Sequence, residues 1–132
     1  MQSRTVLSWV LRLLAAVILA QTLYFKFTGA EESRYIFNAI GLEPWGRYAV
    51  GVSELAAVAL LLWPRTAGLG GLVGLGVIAG ALFFHLTILG IEVQGDGGTL
   101  FYLALVVFAA CAGVVWLHRA ELLALWARVR GV

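Results

Sequence analysis

Three ionisable side chains, Lys26, Glu54 and His85, lie within or at the edge of strongly apolar stretches of the sequence. A charged side chain inside a lipid bilayer costs about 2.5 kcal/mol or more, so each one is a functional-site hypothesis by default. A glutamate and a histidine buried together can share a proton or a hydrogen bond, which suits proton exchange with a bound ligand. The sequence therefore predicts a ligand or proton site built on Glu54 and His85.

The composition predicts that these residues belong to a membrane protein. Of the 132 residues, 62% are hydrophobic and 12% are charged. Soluble domains have about 45–50% apolar and about 25% charged residues, and a single core of this size cannot bury so much apolar surface. Disorder is excluded as well, because it requires low hydrophobicity. We predict one all-α integral membrane domain over residues 1–132, folded as a four-transmembrane-helix bundle in the lipid bilayer.

A spanning helix needs about 20 predominantly apolar residues, and several stretches of the chain approach this length. Tight turns at Pro64 and at Gly95 separate the later stretches. Arg12 interrupts the first one, which favours an uncleaved first span over a signal peptide. The predicted spans are residues 6–27, 48–63, 67–91 and 100–118.

Two further helices are predicted outside the spans. Ser33 is a typical helix-capping residue and Gly41 a typical helix-ending one, which predicts a short extracytoplasmic helix up to Ile40 in the first loop. This helix is apolar enough to lie on the membrane or over the bundle. Residues 119–130 carry apolar residues at helical spacing against arginines, which predicts a C-terminal interfacial helix. A solvated tail with apolar anchors is the alternative.

Counting along the predicted spans places polar side chains of separate helices at one depth. With a rise of about 1.5 Å per residue, Glu54, His85 and Gln21 each lie roughly 9 Å below the outer ends of their spans. The aromatic residues around this layer would suit a flat apolar ligand such as a quinone head group. The candidates for one ligand or proton site, which include two residues nearer the outer boundary, are Glu54, His85, Lys26, Gln21 and Tyr102.

Each candidate also has a purely structural interpretation. Glu54 and His85 could form a pair that only ties the second and third spans together. Lys26 could be an anchor that extends its charge to the interface, and Tyr102 could be an interfacial aromatic residue. Gln21 could donate one interhelical hydrogen bond. The sequence alone leaves these alternatives open.

The third span is rich in glycine. Gly70 with Gly74, and Gly76 with Gly80, have the four-residue spacing that lets helices approach closely. We predict that these glycines pack helices inside the bundle, because one glycine-rich helix suits the centre of a four-helix arrangement. The alternative is that these glycines form a homodimer interface, which would make the protein a homo-oligomer.

The distribution of arginine predicts the orientation of the chain, because the side of a membrane protein with excess positive charge faces the cytoplasm. On the other side, Arg34 and Arg47 are offset by acidic residues. We therefore predict cytoplasmic N- and C-termini and an outward-facing first loop. The arginines on the predicted cytoplasmic side are Arg4, Arg65, Arg119, Arg128 and Arg130.

Several kinds of site are excluded. The single cysteine, Cys111, cannot form an intramolecular disulfide or a multi-thiolate metal site. His118 is predicted on the opposite side of the membrane from His85, so the two cannot ligate one haem, and no metal site is predicted. The net charge of +2, without a basic stripe, predicts no nucleic-acid partner.

Five short motifs follow one another along residues 20–118, and their order and spacing resemble the DoxX family of small bacterial membrane proteins. The resemblance rests on this order within a four-span chain and not on any one motif. The matching pieces are Lys26-Phe27-Thr28-Gly29, Gly51-Val52-Ser53-Glu54-Leu55, Trp63-Pro64-Arg65, Ala81-Leu82-Phe83-Phe84-His85-Leu86 and Leu100-Phe101-Tyr102-Leu103-Ala104.

The resemblance implies a four-helix bundle in the bacterial inner (plasma) membrane and an association with redox chemistry. Relatives are described as small subunits linked to quinol oxidation or thiosulfate:quinone oxidoreduction, or as partners in oxidative-stress complexes. Lys26, Glu54 and His85 fall at the family's polar motif positions. We expect an accessory or quinone-interacting subunit that works with a redox partner protein and holds no cofactor covalently; whether it is itself an enzyme stays open.

Two other functions fit the sequence. A membrane chaperone, assembly factor or scaffold would need no small-molecule chemistry, and the wider superfamily includes an animal chaperone for nicotinic receptors. A small proton-coupled transporter would resemble the small multidrug-resistance proteins in size, span number and the presence of one membrane glutamate. Those proteins carry their glutamate in the first span, whereas Glu54 lies in the second.

Overall fold

A computed structural model describes residues 3–131 of the chain, and these contain helices and no strand. Four of the helices are long and apolar enough to cross a membrane. The predicted all-α four-helix bundle is therefore confirmed. The helices are α1 (Ser3–Thr28), α2 (Glu31–Ala39), α3 (Trp45–Leu62), α4 (Ala67–Phe84), α5 (Thr99–Leu117) and α6 (Arg119–Arg130).

Irregular turns extend α4 at both of its ends. A 3₁₀ turn over Pro64–Thr66 precedes it, and a π-helical turn over His85–Leu89 follows it. In the π-helical turn the Gly90 amide donates a 2.8 Å hydrogen bond to the carbonyl of His85, five residues earlier. Gly90 then ends the helix with a φ of +79°, a conformation that favours glycine. The third spanning segment thus runs over Pro64–Leu89, close to the predicted 67–91.

The four spanning helices form a ring in which α1 and α4 occupy opposite corners and each packs against both α3 and α5. One end of the bundle holds the start of α1, the turn before α4 and the start of α6, and we call it the terminal end. The opposite end holds α2 and the loop that precedes α5, and we call it the α2 end. The core between the helices includes Ala15, Leu19, Ala57, Leu61, Val107, Cys111 and Val114.

The glycines of α4 fall into two groups. A Cβ atom on Gly70 would lie 2.5 Å from the backbone of α3, and one on Gly74 would lie 2.7 Å from the sulfur of Cys111 on α5. These two glycines therefore allow close helix packing inside the bundle, as predicted. A Cβ atom on Gly76 or Gly80 would meet nothing within 4 Å. The packing role predicted for Gly76 and Gly80 inside the bundle is wrong, because both residues border a cavity.

Helix α2 begins at Glu31, two residues before Ser33, the predicted capping residue. Ser33 does not cap it, because Ala30 holds the capping position without a side-chain hydrogen bond and Ser33 is buried within the helix. The Phe37 side chain is also buried, and α2 contacts α1, α3 and the π-helical turn. Of the two placements predicted for this helix, the structure shows the one over the bundle.

Helix α6 occupies the predicted range, Arg119–Arg130, and none of its residues is buried. It touches the rest of the bundle near its start, where the Leu122 side chain approaches Gly68 of α4. Large apolar side chains remain exposed along the helix, Trp126 and Val129 among them. Its interfacial position stays a prediction.

Candidate functional site

An ion pair joins α1 and α3 near the α2 end. Lys26 Nζ on α1 lies 2.8 Å from Glu54 Oε1 on α3, and the Glu54 side chain is only 3% exposed. Thr22, one turn before Lys26, donates its hydroxyl proton to Glu54 Oε2. Removal of one partner would leave the other charge buried and uncompensated, which is strongly unfavourable. Lys26 therefore pairs with Glu54 instead of extending its charge to the interface.

His85 begins the π-helical turn and is 6% exposed. Its Nδ1 atom lies 2.9 Å from the carbonyl oxygen of Gly90, and its ring packs edge-on against Phe101 with 5.5 Å between the ring centres. A carbonyl oxygen can only accept a hydrogen bond, so Nδ1 must carry the proton in this contact. When the imidazole is neutral, Nε2 carries no proton. It can then accept a hydrogen bond from another group.

A cavity of about 690 Å³ lies among these groups, and α2 and all four spanning helices contribute to its wall. Four of the five predicted site residues line it: Gln21, Lys26, Glu54 and His85. Gln21 is also exposed on the outside of α1, so it marks an edge of the cavity. The apolar part of the wall includes Ile18, Phe25, Ile36, Phe84, Leu103 and Val107.

One expectation about the polar layer is wrong. Tyr102 does not line the cavity; it is 57% exposed, and its ring lies over Gly98 on the outside of α5. The rotation of α5 turns Phe101 towards the interior and its neighbour Tyr102 outward, which depth alone could not predict. Of the alternatives that the sequence left open, a direct bond between Glu54 and His85 is not formed, because Glu54 pairs with Lys26 and His85 contacts Gly90.

Two carboxylates at the α2 end, Glu32 and Asp96, also line the cavity and were not predicted. Burial, together with the nearby Asp96 charge, raises the pKa of Glu32. Burial opposes ionisation of Asp96 as well, but hydrogen bonds from backbone amides outweigh it and lower its pKa, and His85 acts in the same direction. The amides that donate to Asp96 are those of Val93, Gly98 and Leu100.

Arg47 is a second residue whose role the sequence did not reveal. The predicted topology placed it in the outer loop, whereas the structure buries it at the start of α3 with 4% exposure. Its guanidinium lies 2.9 Å from Glu43 and also donates to the Lys26 carbonyl near the end of α1. The four-residue spacing of Glu43 and Arg47 was the available sequence signal. Arg47 thus fixes the backbone beside the Lys26–Glu54 pair.

A separate polar cluster lies at the terminal end. Arg12 is 3% exposed and donates from Nε to the Leu61 carbonyl of α3 at 2.6 Å. Ser8 Oγ lies 2.7 Å from His118 Nε2, and His118 Nδ1 lies 2.8 Å from Glu121. The prediction that His118 and His85 lie at opposite ends of the bundle is therefore correct. The sequence showed Arg12 only as an interruption of the first apolar stretch, whereas in the structure it connects α1 to α3.

Among residues 3–131, no group of three histidine, cysteine, aspartate or glutamate side chains is placed to hold a metal ion. Cys111 is buried in the core beside Gly74. No protein-family model, curated protein or solved structure matches the chain. Functional inference therefore depends on the cavity and its lining.

Proposed function

We propose that the chain is a quinone-binding protein of a bacterial inner membrane, a DoxX-like accessory subunit of a membrane redox system. The observation that carries the proposal is the position of the Lys26–Glu54 pair and His85 on the wall of one largely apolar cavity. Small-molecule sites are typically concave, about 300–1,000 Å³ in volume and mainly apolar, with a few polar groups that orient the ligand. The cavity fits this description.

The polar residues of the cavity match the chemistry of a quinone head group. The Lys26 ammonium has two protons left after its contact with Glu54, and one of them can bond a ligand carbonyl oxygen. Glu54 holds this ammonium in place, and Thr22 in turn holds Glu54. His85 also lines the wall, and its Nε2 atom is not used by the contact with Gly90. Apolar side chains such as Phe25 and Phe84 would contact the ring and the start of its tail.

The remaining parts of the proposal concern location and partners. The arginines of the terminal end favour a cytoplasmic position for both termini, which places the cavity in the outer half of the bilayer. Electron transfer to or from the bound quinone would then take place with a redox partner protein, as the DoxX resemblance implies. The exposed apolar residues of α6 offer one surface for such a partner or for the membrane.

Native mass spectrometry with lipid extraction tests the proposal on protein purified in mild detergent. We expect a co-purifying quinone in the wild type and its loss in Glu54→Gln, which keeps the side-chain shape but removes the charge that positions Lys26. Glu92→Gln is the matched control, because Glu92 is exposed and lies outside the cavity lining. A wild-type protein that carries no quinone and does not respond to added quinone would contradict the proposal.

A scaffold or assembly role without a bound small molecule is the second candidate. The observation that favours it is that Glu54 already has a counter-ion in Lys26 and a hydrogen bond from Thr22 without any ligand. Partner proteins recovered by pull-down should then persist in Glu54→Ala and His85→Ala variants that remain folded. A quinone-dependent partner should be lost with either substitution.

A further inference from the structure

The cavity wall has more free hydrogen-bond acceptors than free donors. Thr22 donates its hydroxyl proton to Glu54, while Ser53 and Thr99 donate theirs to backbone carbonyls within hydrogen-bond distance. A hydroxyl group whose single proton is already donated can only accept a hydrogen bond from a ligand. Towards any ligand that reaches them, these three hydroxyls can therefore act only as acceptors.

The buried ionisable groups add to this imbalance. The Glu54 carboxylate is an acceptor only. In its neutral form, the His85 ring has Nε2 left as an acceptor, because Nδ1–H donates to the Gly90 carbonyl. Among the described lining residues, side-chain donors that can face a ligand come from the Lys26 ammonium, the Gln21 amide and the Ser33 hydroxyl, and Gln21 is exposed.

We infer that the cavity selects the reduced, hydroxyl-bearing form of a quinoid ligand over the oxidised form, with His85 Nε2 accepting a hydrogen bond from one ligand hydroxyl. This inference rests on the proposed function. A quinol oxygen can accept a hydrogen bond from Lys26, and a quinol hydroxyl can donate one to His85. A quinone oxygen can only accept, so His85 Nε2 would remain unpaired when a quinone is bound.

The size of the preference follows from the cost of one unpaired acceptor. Burial of a polar group without its hydrogen bond weakens binding by about tenfold or more. We therefore expect the quinol to bind about tenfold more tightly than the quinone. For a two-electron couple, such a ratio raises the midpoint potential of the bound ligand by about 30 mV. Bound quinol would therefore be a weaker reductant than free quinol.

The test compares three ligands on the full-length wild-type protein in detergent under anaerobic conditions. They are decylubiquinone, its quinol, and the dimethyl ether of that quinol, which keeps the ring and tail but has no hydroxyl donor. We expect the quinol to bind about tenfold more tightly than the other two, and those two to bind alike. Equal dissociation constants for quinol and quinone, or for quinol and ether, overturn this inference alone. Absence of binding by all three overturns the proposed function and this inference with it.

A variant then assigns the preference to one side chain. His85→Phe keeps an aromatic ring against Phe101 but removes the acceptor. The quinol preference should fall to near unity, while the dissociation constant for the quinone should change by less than about threefold. Tyr102→Phe is the matched control, because it removes an aromatic hydroxyl outside the cavity and should leave the preference unchanged. If folded His85→Phe still prefers the quinol, the assignment of the preference to His85 is wrong. If the variant does not fold, the comparison of the three ligands on the wild-type protein decides whether the cavity prefers the quinol.

Discussion

Both ends of the bundle bury polar side chains between helices, and at the α2 end these side chains line a cavity. At the terminal end, Arg12 and Ser8 bond other parts of the chain across closely packed helices. At the α2 end, Lys26, Glu54 and His85 bond within the chain as well, yet all three line a cavity. A buried charge in a membrane helix is therefore not by itself a sign of a binding site; the space beside it makes the difference.

The glycines of α4 follow the same division. Near the terminal end, Gly70 and Gly74 bring α4 against α3 and α5 and leave no space for a Cβ atom. Near the α2 end, Gly76 and Gly80 border the cavity and have no neighbour at that distance. Glycines of one helix thus allow close packing at Gly70 and Gly74 and border a cavity at Gly76 and Gly80. The two halves should respond to substitution in opposite ways.

The largest expected effect comes from leucine substitutions in the two glycine pairs. Gly70→Leu places its Cβ atom 2.5 Å from the α3 backbone, which cannot yield as a side chain can, so we expect loss of the folded bundle. Gly80→Leu should change the melting temperature in detergent by only a few degrees, because its side chain enters the cavity, and it should block ligand binding. Equal destabilisation by the two substitutions would show that the halves are not packed differently.

A smaller loss of stability is expected from Lys26→Met. The Glu54 carboxylate would remain buried without its counter-ion, at a cost of about 3–5 kcal/mol. The double variant Lys26→Met/Glu54→Gln should recover part of this loss, because it removes the uncompensated charge as well. Denaturant unfolding of both variants measures the difference. Additive effects of the two substitutions would mean that Lys26 and Glu54 do not depend on one another.

The smallest effect is expected from Ser8→Ala at the terminal end. Loss of the hydrogen bond to His118 should lower the free energy of unfolding by about 1 kcal/mol. Because Ser8 lies far from the cavity, the quinone and quinol dissociation constants should stay unchanged. A shift in either constant would indicate that the two ends are coupled. Ligand titration and thermal unfolding on the same preparation make both measurements.

The sequence predicted the fold because a high apolar content and the spacing of the turns require four membrane-spanning helices. Counting depth along the spans also predicted that Gln21, Glu54 and His85 lie at one level, and all three line the cavity. Depth does not determine which way a side chain points, and Tyr102 was therefore placed inside the bundle when it faces outward.

The interactions between charges were harder to predict. Arg12 and Arg47 are residue types that usually extend towards the membrane surface, yet both are buried and bond backbone carbonyls of a neighbouring helix. Such contacts depend on the rotation and separation of helices, which hydropathy does not reveal. The cavity beside Gly76 was hidden for the same reason, because glycine spacing permits close packing without requiring it.

The charges buried in the bundle have a consequence for how the chain enters a membrane. Arg12 bonds Leu61, Lys26 pairs with Glu54, and Arg47 bonds the Lys26 carbonyl, so every one of these contacts lies between α1 and α3. The first two spans can therefore form these contacts before α4 and α5 have been synthesised. They can leave the insertion machinery together as a hairpin whose polar contacts are already made, and the glycine-rich third span then packs against it.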